Sequence, residues 1–125
     1  MKYVVQLRKK PQNREEGKYY LIARSLGVVD LSQICEEISL SSSLTRGDVS
    51  NTIMSFLDII PKYLKMGYSV KLGELGSFRL SIKSEGSDME KEATASKMKK
   101  IHTLFVPSAK IKKEISDTTV ELYAS

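Results

Sequence analysis

Two glycines three residues apart, Gly73 and Gly76, separate two runs of alternating apolar residues. Tyr68, Val70 and Leu72 alternate before them, and Phe78, Leu80 and Ile82 alternate after them. A period of two marks half-buried strands. A close bend between such strands needs residues that accept positive φ, which glycine does at no steric cost. The stretch opened at Val70 closes with Phe105-Val106-Pro107-Ser108-Ala109-Lys110-Ile111-Lys112. It reads as a strand, a tight glycine turn, a long hairpin, a returning strand that begins at Lys97, and a short basic helix capped by Ser108. Between the strands, Ser84 to Ser96 offers no large apolar residue except Met89. Such a segment cannot bury itself, so a mobile tip is expected.

Upstream, the period changes. Asp30 with Gln33 is a capping-box pattern ahead of Leu31, Ile34, Cys35 and Ile38, which follow helical spacing. Ser39 to Ser43 reads as a turn, and Thr45 with Asp48 starts a second helix. Its stripe is Val49, Ile53, Phe56, Leu57, Ile60 and Leu64, widened by Met54 and Ile59. That is more apolar surface than a small monomer covers, which points to a second subunit. Pro61 predicts a kink or a separate short turn to Lys65, and Gly67 a stop. At the N-terminus, residues 3–7 and 18–24 read as strands of a hairpin. The basic run Arg8-Lys9-Lys10 and a polar segment from Pro11 to Gly17 lie between them. A lone hairpin is marginal in water, so this one has to pack on the domain or on a partner chain. The tail frays or adds a strand through Val120, Leu122 and Tyr123.

The formal net charge is +5, unevenly spread. Residues 1–29 carry seven basic and two acidic side chains, whereas residues 30–66 carry three and five. The basic excess at the N-terminus and in the hairpin suits a polyanion partner. One cysteine, Cys35, excludes an intrachain disulfide, and its place on the apolar stripe makes it a core residue. With one histidine, His102, the chain offers too few ligands for a zinc site and no motif for a nucleophile–base pair. Gly73 and Gly76 are not a phosphate loop, because no Gly-Lys-Ser/Thr follows them. No enzyme, cofactor, metal or small-molecule substrate is therefore expected. Without an apolar run long enough to span a membrane, and without a leader-like N-terminus, a cytoplasmic chain is expected.

Leu75-Gly76-Ser77-Phe78 and Phe105-Val106-Pro107-Ser108, with Lys110, Ile111 and Lys112, resemble two anchors of the bacterial histone-like HU/IHF family. The family patterns are G-[FL]-G-[TSN]-F and F-x-P-[GS]-x-K-[IL]-K. One departure is Glu74, where the pattern has its first glycine. The resemblance covers Asp30 to Ile115, and the preceding residues look like the extension of a longer HU-like subfamily. It implies an α+β, IHF-like DNA-binding fold: an intertwined dimer of helices, a three-stranded sheet and a long β-arm, here with an added N-terminal β-hairpin. The expected division is a hairpin extension at 1–29, an HU-like DNA-binding domain at 30–116 and a tail at 117–125.

The same resemblance places Arg79, Lys83, Lys97, Lys99 and Lys100 on the DNA-facing saddle and arm, and Lys110 and Lys112 on a phosphate-contacting helix. Arg46, in the first turn of the second helix, joins that set. Arg8, Lys9, Lys10 and Arg14 form a possible accessory cluster at the hairpin loop. DNA-bending relatives carry a proline wedge at the arm tip. Here the tip is Glu85-Gly86-Ser87-Asp88-Met89-Glu90-Lys91-Glu92, acidic and without proline. The expected function is a nucleoid-associated, homodimeric architectural protein that binds double-stranded DNA largely through its backbone. The alternative is an HU-like dimeric assembly module with weak or no DNA bending.

Overall fold

The computed structural model describes residues 1–124, except the side chains of residues 13–15. Strands are β1 (Lys2–Lys10), β2 (Asn13–Arg24), β3 (Val70–Lys71), β4 (Gly76–Ser84), β5 (Met98–Pro107) and β6 (Glu121–Leu122). Helices are α1 (Leu31–Leu40), α2 (Arg46–Lys65) and α3 (Ala109–Ile115). The chain forms two compact units, residues 1–34 joined by the C-terminal residues from 117 onward, and residues 35–116. Among the described residues, no helix is long and apolar enough to cross a membrane.

The first unit is a three-stranded sheet in the order β2-β1-β6. Its hairpin is longer than the sequence predicts: the basic run Arg8–Lys10 lies within β1, and only Pro11 and Gln12 separate the strands. The alternation that marks strand simply continues through charged residues, since extended backbone on a sheet surface tolerates them. The tail does add a strand, pairing parallel to β1 with Lys2 opposite Glu121 and Tyr3 opposite Leu122. Glu121 N–H donates to the Met1 carbonyl at 3.0 Å, and Tyr123 N–H to that of Tyr3 at 2.9 Å. Lys2 also pairs with the Glu121 carboxylate, and this hydrogen bond and the ammonium charge hold that carboxyl below its ordinary pKa.

In the second unit, local chemistry sets the helix ends. Thr45 accepts from Asp48 N–H at 3.1 Å while Asp48 reaches back to Thr45 N–H, a reciprocal capping box. Asp30, among the residues of the first unit, caps α1 by accepting from Gln33 N–H at 3.0 Å. At the far end of α2, Gly67 adopts φ +96°. Its N–H bonds the Leu64 carbonyl at 3.0 Å, and Tyr68 N–H bonds that of Tyr63 at 3.1 Å. This is a Schellman motif, and the apolar contact that accompanies it is the edge-on pair Tyr63–Tyr68, 6.2 Å between centroids. No separate turn forms at Pro61: the helix runs through it to Lys65, although proline removes one N–H bond and crowds the carbonyl four residues back.

The sheet of this unit has the order β3-β4-β5. Leu72 accepts from Leu75 N–H at 3.1 Å and donates to Gly76 at 2.8 Å, which closes the turn with Gly73 at φ +55° and Gly76 at φ +146°. That turn is tied to the start of α3. Ser108 donates its N–H to the Leu75 carbonyl at 3.1 Å and its hydroxyl to the Glu74 carbonyl, and it caps α3 by accepting from Ile111 N–H at 3.1 Å. One hydroxyl therefore serves two elements. Ser108→Ala is expected to lower unfolding stability by about 1–2 kcal/mol, the cost of a lost cap, with the helices elsewhere unchanged. Chemical denaturation followed by circular dichroism reads this directly.

The segment between β4 and β5, read from composition as a mobile tip, contains local structure. It forms two 3-10 turns, Glu90–Glu92 and Ala95–Lys97. Backbone hydrogen bonds suffice for such turns where apolar burial is impossible. The return strand accordingly starts at Met98, one residue later than predicted.

Candidate nucleic-acid interface

The strand pair β4–β5 is amphipathic by register. Phe78 faces Phe105, Leu80 faces Thr103 and Ile82 faces Ile101. Partners across antiparallel strands lie on one face, and successive residues alternate between faces. The aromatic pair confirms the assignment, with ring centroids of Phe78 and Phe105 4.7 Å apart. On this apolar face Phe78, Leu80, Ile101 and Thr103 line a cavity of about 450 Å³ together with Ile60, Pro61, Leu64 and Lys65 of α2.

The opposite face carries Ser77, Arg79, Ser81 and Lys83 on β4, matched by Val106, Leu104, His102 and Lys100 on β5. Lys71, opposite Ser77 on β3, extends the same face. No acidic residue belongs to it. Lys83 lies directly opposite Lys100, an arrangement that costs stability because the like charges repel. Among the described residues, no carboxylate lies within ion-pair distance of Arg79, Lys83 or Lys100; the ion pairs are Lys2–Glu121 and Lys110–Glu74. The three cations are all exposed.

The remaining predicted site residues do not belong to this face. Lys99 is the extra residue of a bulge, where Lys83 pairs with Lys100 but Ser84 with Met98. Lys97 ends a 3-10 turn instead of standing on the paired strand, and its carbonyl accepts from Glu85 N–H at 2.9 Å. Lys110 on α3 is engaged by Glu74 at 2.7 Å. Glu74 is the residue that departs from the glycine pattern, so the substitution supplies a counter-charge to the basic helix. Lys112 lies on the last turn of α3, and Arg46 is the first residue of α2. In the hairpin, Arg8 and Lys9 point to opposite faces of β1, because Arg8 pairs with Lys18 and Lys9 with Gly17. Arg14 lies outside the described side chains. Lys71, His102 and Lys18 were missed as members of these faces. Strand parity would have found Lys71, but pairing Lys18 with Arg8 requires the register.

The helix α2 against an amphipathic three-stranded sheet, apolar toward the helix and cationic on its other face, defines a small basic α+β domain. The chain belongs to the HU-HIG family, described as an HU domain fused to a winged helix-turn-helix, an immunoglobulin-like or a glycine-rich motif; the match spans residues 1–122. The fold is similar to the crystal structure of a Bacteroides vulgatus protein described as a candidate bacterial DNA-binding protein. The TM-score is 0.67 at 15% sequence identity, covering 97% of this chain and 47% of that one. The chain thus spans about half the length of that neighbour. No curated protein matches the sequence.

Proposed function

We propose that this chain is an HU-type architectural protein that binds double-stranded DNA through the phosphate backbone. The observation that carries this reading is the carboxylate-free sheet face with Lys83 set against Lys100 and Arg79 beside them. Repulsion of this kind is relieved by an anion, and a line of phosphates supplies several at once. Base-specific readout is not required, since lysine–phosphate contacts carry no sequence information. Membership of the HU-HIG family and the fold shared with a candidate DNA-binding protein support the same partner. In this reading residues 30–116 are the DNA-binding domain, 1–29 an added hairpin and 117–125 a tail that joins it.

The working form is a homodimer. Among the described residues the only buried hydrophobic side chains are Cys35, Val49 and Leu64, at 3%, 2% and 7% exposure. Ile82 and Ile101 of the apolar sheet face are 71% and 51% exposed, and Met54, Phe56, Leu57 and Ile59 of α2 are exposed as well. A chain with so small a core needs a partner to cover these side chains. Localisation to the nucleoid within the cytoplasm follows from DNA as the partner. The acidic tip, with Glu85, Asp88, Glu90 and Glu92, favours a second reading in which the dimer assembles without bending DNA, because carboxylates near phosphates repel.

Titration of the full chain against intact and nicked duplexes of ~30 base pairs at several salt concentrations separates these readings. With three sheet cations on each of two chains, log K should fall against log salt with a slope of at least about −5. Equal affinity for both duplexes fits backbone binding without bending, and preference for the nicked duplex shows that bent DNA is favoured. Absence of binding at low salt would overturn the DNA reading.

A further inference from the structure

We propose, resting on the DNA-binding reading above, that the polar face of the β1–β2 hairpin is a second phosphate-binding surface, formed by Arg8, Lys10 and Lys18 with Tyr20. The register sets Gln6 opposite Tyr20 and Arg8 opposite Lys18 on this face. Lys10, two residues beyond Arg8 on β1, follows it across a register irregularity between Lys9 and Lys10. The opposite face holds Tyr3, Val5 and Leu7 against Ala23, Leu21 and Tyr19, with Lys9 beyond them, while Val4 and Ile22 lie on the first face between the Lys2–Arg24 and Arg8–Lys18 pairs.

The same sheet contains its own control. At the other end of the hairpin, Lys2 stands opposite Arg24, again two cations in register. There both are compensated: Lys2 by the Glu121 carboxylate, and Arg24 by the ring of Tyr123, 5.0 Å from the guanidinium carbon to the centroid. Both partners come from the C-terminal segment, whose strand pairs only with Lys2 and Tyr3. It does not reach Arg8 and Lys18. Among the described side chains, no carboxylate pairs with Arg8, Lys10 or Lys18. What Arg8 has is Tyr20, its guanidinium carbon 5.9 Å from the ring centroid. Stacking of this kind holds the guanidinium in place while leaving its N–H donors free, the state needed for a bidentate phosphate contact. Alternate residues on a strand are about 6.8 Å apart. That is comparable to the separation of neighbouring phosphates along the sugar–phosphate path, so Arg8 and Lys10 can address successive phosphates of one DNA strand.

The test uses the full chain bearing Arg8→Gln, Lys10→Gln and Lys18→Gln together, titrated with the ~30-base-pair duplex across salt. Lys83→Gln with Lys100→Gln is titrated in parallel, and so is Lys9→Gln, whose side chain lies on the other hairpin face. The triple variant should flatten the salt slope by about 2.7 per engaged hairpin, at about 0.9 per lost contact. Lys9→Gln should leave it unchanged. Thermal melting of the triple variant should match or exceed that of the parent, because a repulsive pair has been removed. Should the triple variant misfold, Lys18→Gln alone is expected to flatten the slope by about 0.9 per engaged hairpin. A parental slope in the folded triple variant, alongside a flattened slope for Lys83→Gln/Lys100→Gln, would overturn the hairpin surface and leave the DNA reading standing. Equal flattening by Lys9→Gln would also overturn it, since the face would then be irrelevant. Failure of the parent chain to bind would bring down both.

Discussion

A chain carrying Gly76→Ala is expected to lose about 3–5 kcal/mol of folding stability, which for many domains is most of what they have. Two independent costs combine. At φ +146° the backbone of residue 76 occupies a region that side chains rarely adopt, worth about 1–3 kcal/mol. A Cβ there would also stand 2.4 Å from the Val106 carbonyl oxygen and 2.8 Å from the Phe105 ring. The oxygen belongs to the paired strand, so it cannot yield without breaking the register that sets Gly76 opposite Pro107. The disturbance would spread to the Phe78–Phe105 contact and to the link between the turn and α3. Two other glycines calibrate the result. Gly73→Ala meets no atom within 4 Å but keeps a φ of +55°, so only the left-handed penalty of about 1–2 kcal/mol remains. Gly47 lies in the first turn of α2, where a Cβ would make only an ordinary contact with Thr45 Oγ1 at 3.9 Å, and alanine there should be neutral or stabilising by up to ~1 kcal/mol. Urea denaturation of the three variants should rank them in that order. A Gly76→Ala chain as stable as the parent would show that the turn does not hold this geometry.

The second large effect separates stability from binding. Lys83→Glu places a carboxylate directly opposite Lys100 and converts a repulsive cross-strand pair into an attractive one. The gain is about 0.2–1 kcal/mol on an exposed sheet, so the unfolding midpoint should hold or rise. DNA affinity should move the other way. Each lost phosphate contact is worth about eightfold between 1 M and 0.1 M salt, and the substitution would occur twice in the proposed dimer, which gives roughly 50-fold weaker binding at 0.1 M salt. Adding Lys100→Glu restores a like-charge pair of opposite sign. The midpoint should then fall back toward that of the parent while binding is lost altogether. Fluorescence anisotropy with a labelled duplex and thermal melting of the same samples give both quantities. If Lys83→Glu left affinity unchanged, the sheet face would not be where DNA lies.

Much of this architecture follows from residues only a few positions apart. Thr45 with Asp48, Asp30 with Gln33, and Gly67 after Lys65 terminate helices through bonds that span three to five residues. The alternation of Phe78, Leu80 and Ile82 marks a strand without reference to its partner. These features are legible in the sequence because the atoms that satisfy each other belong to the same short segment. Pro61 is the exception in one respect: it does not end the helix, which runs on to Lys65.

What the tertiary structure alone decided is pairing. Nothing local sets Lys83 against Lys100 or Arg8 against Lys18, and nothing local brings Glu121 to Lys2 across the length of the chain. It also decided that Glu74 neutralises Lys110, that Lys97 falls short of the strand, and that the basic run at Arg8 to Lys10 divides between two faces. Each outcome depends on hydrogen-bond register between strands. A shift of one residue would send every side chain to the opposite face while leaving the composition and period of both strands unchanged. The sequence by itself therefore determined which segments are strands and helices and that cations abound on them. The register, set by long-range backbone pairing, determined which cations share a face and are left without a counter-charge.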